Sequence, residues 1–101
     1  MAFVYMGDET PGLDRLAAFF FDGIFMRYAM VVDHTVAVFT TEGKLIYQEH
    51  GAQLPEGFIP RSMEAFRSRQ TGKLIVGFGG FMEGSNKQRG LVFATDYFIK
   101  E

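Results

Sequence analysis

Two histidines beside carboxylates are the residues of this sequence that come closest to a metal site. His34 follows Asp33, and His50 follows Glu49. Both lie near the open end of a predicted hairpin in which position 35 faces position 50, so the two histidines project to opposite faces of the ladder. His34 and Glu49 share a face, but two ligands do not complete a four-coordinate zinc site. We therefore expect no metal site.

Asp96 is the carboxylate best placed for general acid–base chemistry. It lies in an apolar segment and shares a predicted strand face with Val92, Ala94 and Phe98. A carboxylate among apolar neighbours either has a raised pKa, as catalytic acids do, or stands on an edge strand and faces water. The first interpretation predicts a small enzyme or ligand-binding domain with an aromatic pocket around Asp96, and His34 is then the second candidate catalytic residue.

The sequence gives little support for a catalytic nucleophile or a phosphate-binding loop. The sequence has no cysteine, and none of its serines, Ser62, Ser68 and Ser85, has the strand-to-helix setting of an elbow nucleophile. The glycines at 77–80 are not followed by the Gly-Lys-Ser/Thr ending of a phosphate loop. Glycines inside a strand more often mark a bend or close packing. We expect no cofactor.

Polar residues suited to recognition gather on one predicted helix and in one predicted loop. The candidate partner-binding residues among them are Arg61, Arg67 and Arg69 on the helix, and Asn86, Lys87 and Arg89 in the loop. Ten basic against twelve acidic residues give a net charge of -2, without the basic excess that binds a phosphate backbone. The cluster therefore indicates a protein partner rather than nucleic acid, although a solvated helix face would show the same residues.

Two segments predict short helices. Thr10 can cap a helix that begins at Pro11 and ends at Gly23. Its apolar stripe would consist of Leu13, Leu16, Ala17, Phe20, Phe21 and Ile24. Phe19 falls outside this stripe, so we count it among the candidate partner-binding residues. Residues 60–70 also carry apolar side chains at helical spacing and predict the second helix.

The remaining apolar runs predict strands. A two-residue turn at Glu42–Gly43 joins the two strands of the first hairpin, and Asp33–His34 joins that hairpin to the strand before it. The predicted strands are 2–6, 25–32, 35–41, 44–50, 74–82 and 91–99. The order β-α-β-β-β-α-β-β predicts an α+β fold, a mostly antiparallel sheet with two short helices packed on one face.

A single domain spanning residues 1–101 is expected, because a chain of this length supports one core and no break in composition divides it. The sequence shows neither an export signal nor an apolar run long enough to span a bilayer. These features predict a cytoplasmic protein that does not associate with membranes.

The apolar content exceeds what such a domain would bury. The chain has twelve phenylalanines, and a sheet with two apolar faces would have only two helices to cover it. We therefore predict a non-enzymatic protein–protein interaction, inhibitor or regulatory module that acts through an apolar and aromatic sheet surface and an exposed hairpin loop. A homodimer is also predicted. The alternative is the small enzyme or small-ligand-binding domain described for Asp96.

Overall fold

The chain folds as two packed antiparallel sheets in a computed structural model, which describes residues 3–7 and 14–101 and, at 3–7, 14, 15 and 52, the backbone alone. Five strands form one sheet in sequence order: β1 (Phe3–Gly7), β2 (Asp14–Asp22), β3 (Phe25–Val32), β4 (Thr35–Thr40) and β5 (Leu45–Gln53). Three strands form the other: β6 (Phe58–Arg67), β7 (Lys73–Met82) and β8 (Gln88–Phe98). Every neighbouring pair is antiparallel.

The predicted α+β class is wrong, because the described residues contain no helix. That part of the chain accordingly has no helix long and apolar enough to cross a membrane. The antiparallel sheet of the prediction is confirmed. A second sheet, rather than a pair of helices, covers the apolar face of the first.

Residues 14–22 of the first predicted helix form strand β2, and its predicted start at 10–13 lies outside the described residues. Residues 16–21 are apolar at every position, so they match a helical stripe and a strand buried on both faces equally well. Phe20 and Ala18 point into the core between the sheets, whereas Phe19 points to the opposite face and packs against Tyr28. Phe19 lies outside the helical stripe. A large apolar residue at that position indicates a strand whose side chains alternate between two buried faces.

The second predicted helix is strand β6. Phe58, Met63 and Ala65 are buried, and a bulge at Arg61 breaks the alternation between them. In a helix Ile59, Met63 and Phe66 would share one face, but in β6 Met63 is buried whereas Ile59 and Phe66 are exposed. Pro60 is tolerated because β6 pairs with β7 alone and forms an edge of its sheet.

The predicted hairpin of β4 and β5 has the predicted register in its centre, where Ala37 faces Gln48 and Val38 faces Tyr47. Bulges shift the register at both ends, so that Phe39 faces Leu45 instead of Ile46. The turn before β4 has positive φ at Asp33 and His34, 52° and 65°, as a type I′ hairpin turn requires.

The core lies between the sheets, where β2 packs on β6 and β5 approaches β8. Its buried side chains come from the inner faces of both sheets: Ala18, Phe20, Ala29, Val36, Val38, Leu54, Phe58, Met63, Ala65, Leu74, Val76, Phe78 and Ile99. A smaller cluster on the outer face of the five-stranded sheet comprises Ala17, Tyr28 and Met30, with Phe19, Val32 and Phe39 packed against them. Aromatic residues are therefore buried on both faces of this sheet.

Candidate functional site

Asp96 faces water on the outer side of β8. Its side chain is 75 % exposed and forms an ion pair with Lys73, at 3.1 Å between Oδ1 and Nζ. Its backbone N–H donates to the carboxylate of Glu49 at 2.8 Å. Asp96 is therefore an exposed residue of an edge strand, as in the second interpretation of the sequence, and it does not lie among apolar side chains in a pocket.

His34 lies in the exposed turn between β3 and β4, far in sequence from Asp96, and its carbonyl accepts a hydrogen bond from the N–H of Leu54 at 2.8 Å. His50 is also exposed. No group of three histidine or acidic side chains among the described residues could hold a metal ion.

The structure divides the predicted partner-binding residues among three places. Arg61, Asn86 and Arg89 line adjoining grooves of about 300 and 350 Å³ on the three-stranded sheet. Lys87 is exposed in the loop beside them. Phe19 lies in the outer aromatic cluster. Arg67, which pairs with Glu101 at 3.1 Å, ends strand β6, and Arg69 lies next to it in the turn between β6 and β7.

A third groove, of about 400 Å³, crosses the outer face of the three-stranded sheet over Gly77, Gly79 and Gly90. Two side chains of β6 already lie over this glycine floor. A Cβ atom at Gly79 would be 2.6 Å from Ser62 Oγ, and one at Gly77 would be 3.4 Å from Glu64 Oε1. The glycines therefore make room for neighbouring side chains of the same chain.

Exposed apolar side chains concentrate at one end of the molecule, which contains the β2–β3, β4–β5 and β6–β7 turns. Nine large apolar side chains among the described residues are exposed, and the strand order places all of them except Ile59 and Val92 at this end. We call this surface the apolar end; it consists of Phe21, Ile24, Phe25, Leu45, Ile46, Phe66 and Phe98.

The tip of the β2–β3 hairpin, residues 21–25, forms a wedge at the apolar end. Gly23 has a φ of +67° and allows the two-residue turn, which leaves Ile24 86 % exposed at the apex. Phe21 and Phe25 are 61 % and 55 % exposed. They point to opposite faces of the hairpin, because Phe21 pairs with Met26 and Phe25 with Asp22, and successive pairs alternate between the faces. Turns usually carry polar residues, so an apolar one indicates a contact surface.

The wedge pairs only within its own hairpin. The last residue of β3 that pairs with β4 is Arg27, opposite Thr40, so residues 25 and 26 pair with β2 alone. The Arg27 guanidinium stacks on Phe25, 4.9 Å from the ring centre.

The base of the wedge is tied to the chain after β8. The buried carboxylate of Asp22 accepts hydrogen bonds from the Tyr97 hydroxyl and, at 2.6 Å, from the N–H of Lys100. The N–H of Gly23 donates to the carbonyl of Lys100 at 2.9 Å. These bonds hold the apolar turn in place, so its exposure is a property of a fixed hairpin.

The apolar end also carries an excess of positive charge. Its charged residues are Arg27, Lys44, Arg67, Arg69, Lys73 and Lys100, and Asp22, Glu42, Asp96 and Glu101. Six basic against four acidic residues give +2, whereas the other four basic and six acidic residues that the structure describes give -2. The end that exposes apolar side chains is therefore the one suited to an anionic surface.

A second buried carboxylate joins the sheets where β5 approaches β8. Glu49 Oε2 accepts from the Tyr47 hydroxyl at 2.6 Å and from Asp96 N at 2.8 Å, and Oε1 accepts from the N–H groups of His50 and Gly51. Burial would raise the pKa of Glu49, but these four hydrogen bonds outweigh it and lower the pKa below its ordinary value. The carboxylate thus has a structural role.

The tyrosines beside these carboxylates predict a loss of stability at alkaline pH. Burial, and then the neighbouring carboxylate, raises the pKa of Tyr47 and of Tyr97 from 10.0 to about 12. The unfolded state loses these protons first, so the stabilisation is fully present below pH 10 and declines as the pH rises towards 12. Urea unfolding across this range should show a shallower decline for Tyr47→Phe/Tyr97→Phe than for the wild type; equal slopes would contradict the assignment.

The helical pattern of the sequence hides the apolar end. It predicts that Phe21 and Ile24 belong to a buried stripe and that Gly23 ends the helix. The available signal was Phe-Asp-Gly-Ile-Phe at 21–25, in which Asp-Gly between apolar residues also predicts a hairpin turn.

Comparison with known proteins gives no relative: no protein-family model, curated protein or solved structure matches the chain.

Proposed function

We propose that the protein is a non-enzymatic binding module that docks through its apolar end. The observation that carries the proposal is the fixed wedge, in which Phe21, Ile24 and Phe25 are more than half exposed although the chain has two apolar clusters that bury other aromatic residues. Exposed apolar groups on a rigid turn lose little conformational freedom on binding, which favours association. The proposed function is the interaction module predicted from the sequence. Of the residues predicted to bind a partner, Arg67 and Arg69 lie at this surface, whereas its exposed apolar residues were not among those predicted.

The enzyme alternative has less support from the geometry. Asp96 is paired with Lys73 and faces water, and neither Asp96 nor His34 lines the three grooves of the three-stranded sheet. A group that acts in acid–base catalysis needs a substrate-sized cavity beside it. The homodimer and the cytoplasmic location stay predictions. Two copies meeting apolar end to apolar end would bring two net positive charges together, so a homodimer is better accommodated by another face.

Photo-cross-linking in living cells tests the proposal. A benzophenone amino acid replaces Ile24 in one variant and Ser85, an exposed loop residue outside the apolar end, in the other. We expect irradiation to join position 24, and not position 85, to another molecule, either a protein or a lipid. A folded position-24 variant that forms no adduct would overturn the proposed function.

A further inference from the structure

We infer that the occupant of the apolar end is the headgroup region of an anionic lipid bilayer, which the wedge penetrates and the basic residues around it contact. This inference rests on the proposed function, since it names the partner of the same surface. The sequence predicted no membrane association because it contains no spanning segment, but a wedge of five residues enters only one side of a bilayer.

The shape of the wedge is the first argument. Phe21 and Phe25 lie on opposite faces of the hairpin and Ile24 lies between them at the apex. A flat protein surface could cover only one of these faces. A fluid interface surrounds an inserted turn on all sides, so it removes all three side chains from water together.

The position of the charges is the second argument. Arg27 stacks on Phe25, and the Cβ of Lys100 is 3.7 Å from the position of a Cβ at Gly23. Both cations therefore flank the apolar turn. The exposed Lys100 can lay its aliphatic stem against apolar groups while its charged end reaches lipid phosphates, whereas the half-buried Arg27 holds its guanidinium over the Phe25 ring. Lys44 is exposed in the neighbouring β4–β5 turn.

The distribution of charge is the third argument. The apolar end carries +2 and the other described residues carry -2, so an anionic surface attracts this end and repels the remainder. The field therefore orients the molecule with the wedge towards the lipid. The cytoplasmic leaflet carries a negative surface potential, which agrees with the predicted cytoplasmic location.

Vesicle sedimentation tests the inference with the complete chain. Phosphatidylcholine vesicles, with and without phosphatidylglycerol, are mixed with the wild type, with Ile24→Ser/Phe25→Ser, and with the matched control Val92→Ser. Val92 is 70 % exposed on the outer face of β8, away from the wedge. All three proteins should have similar melting temperatures, because each substituted side chain is mostly in water.

We expect the wild type and Val92→Ser to bind the anionic vesicles, and the double variant to bind about tenfold or more weakly. Binding should fall as salt is added. Equal binding by the double variant, or equal binding to both vesicle types, would overturn the inference. If no protein binds vesicles while position 24 cross-links to a protein in cells, the lipid assignment fails and the proposed function stands; no cross-link from position 24 overturns both.

Discussion

Glu49→Ala should lower the free energy of unfolding by about 3 kcal/mol, because it removes a buried charged acceptor that takes four hydrogen bonds. Glu49 is 4 % exposed, and its carboxylate accepts from a hydroxyl of its own strand, two N–H groups of the β5 bulge and one N–H of β8. Removing it leaves all four donors without this acceptor where the two sheets approach. The melting temperature should fall by on the order of 20 °C.

The matched control for Glu49 is Glu64→Ala, which removes an exposed carboxylate from β6. Its effect should stay within about 0.5 kcal/mol, as for most surface substitutions. Calorimetry of both variants checks the assignment. A Glu49→Ala variant that melts together with Glu64→Ala would show that Glu49 does not join β5 to β8.

Gly80→Ala should lower the free energy of unfolding by about 3 kcal/mol, the upper part of the range for overpacking. A Cβ at this position would lie 2.1 Å from the carbonyl oxygen of Ile59 and 3.0 Å from Phe58 Cζ. The first atom is backbone of the paired strand, so a side-chain rotation cannot relieve the clash. Strand β6 would have to move away from β7 next to its bulge.

Gly90→Ala is the control for Gly80. It adds the same methyl group to the other neighbour of β7, where the nearest atom, the carbonyl oxygen of Phe78, is 3.8 Å away. We expect urea unfolding of Gly90→Ala to match the wild type within about 0.5 kcal/mol. Similar losses for the two variants would contradict the assignment of close strand packing to Gly80.

The sequence predicted the hairpins but not the two strands that look like helices. Short turns at 33–34 and 42–43, between segments rich in β-branched residues, determine the β3–β4–β5 meander. Strand β2 is apolar at six consecutive positions because its inner side chains enter the core between the sheets and its outer ones join the cluster around Tyr28 and Met30, which removes the alternation that identifies a strand. Strand β6 loses the same alternation at its Arg61 bulge. Local periodicity cannot distinguish β2 and β6 from helices, because packing between the two sheets determines which of their side chains are buried.

The helical pattern of β2 also conceals the candidate site. A helix over residues 11–23 places Phe21 and Ile24 in the core and gives no reason to expect an exposed turn at Asp22–Gly23. The excess of apolar surface was predicted from composition, but its location required the strand assignment. The charge excess of the apolar end likewise appears only when the three turns are brought together by the fold.

The claim that the apolar end is the docking surface is tested most directly by comparing cross-linking yields from two apolar positions in living cells. The photo-cross-linker is placed at Ile24, in the wedge, or at Val92, beside the glycine groove; the two residues are 86 % and 70 % exposed. Both side chains are apolar and accessible, so exposure alone would give similar yields. We expect the adducts to form from position 24, with little from position 92. Adducts mainly from position 92 would contradict the account and assign docking to the three-stranded sheet.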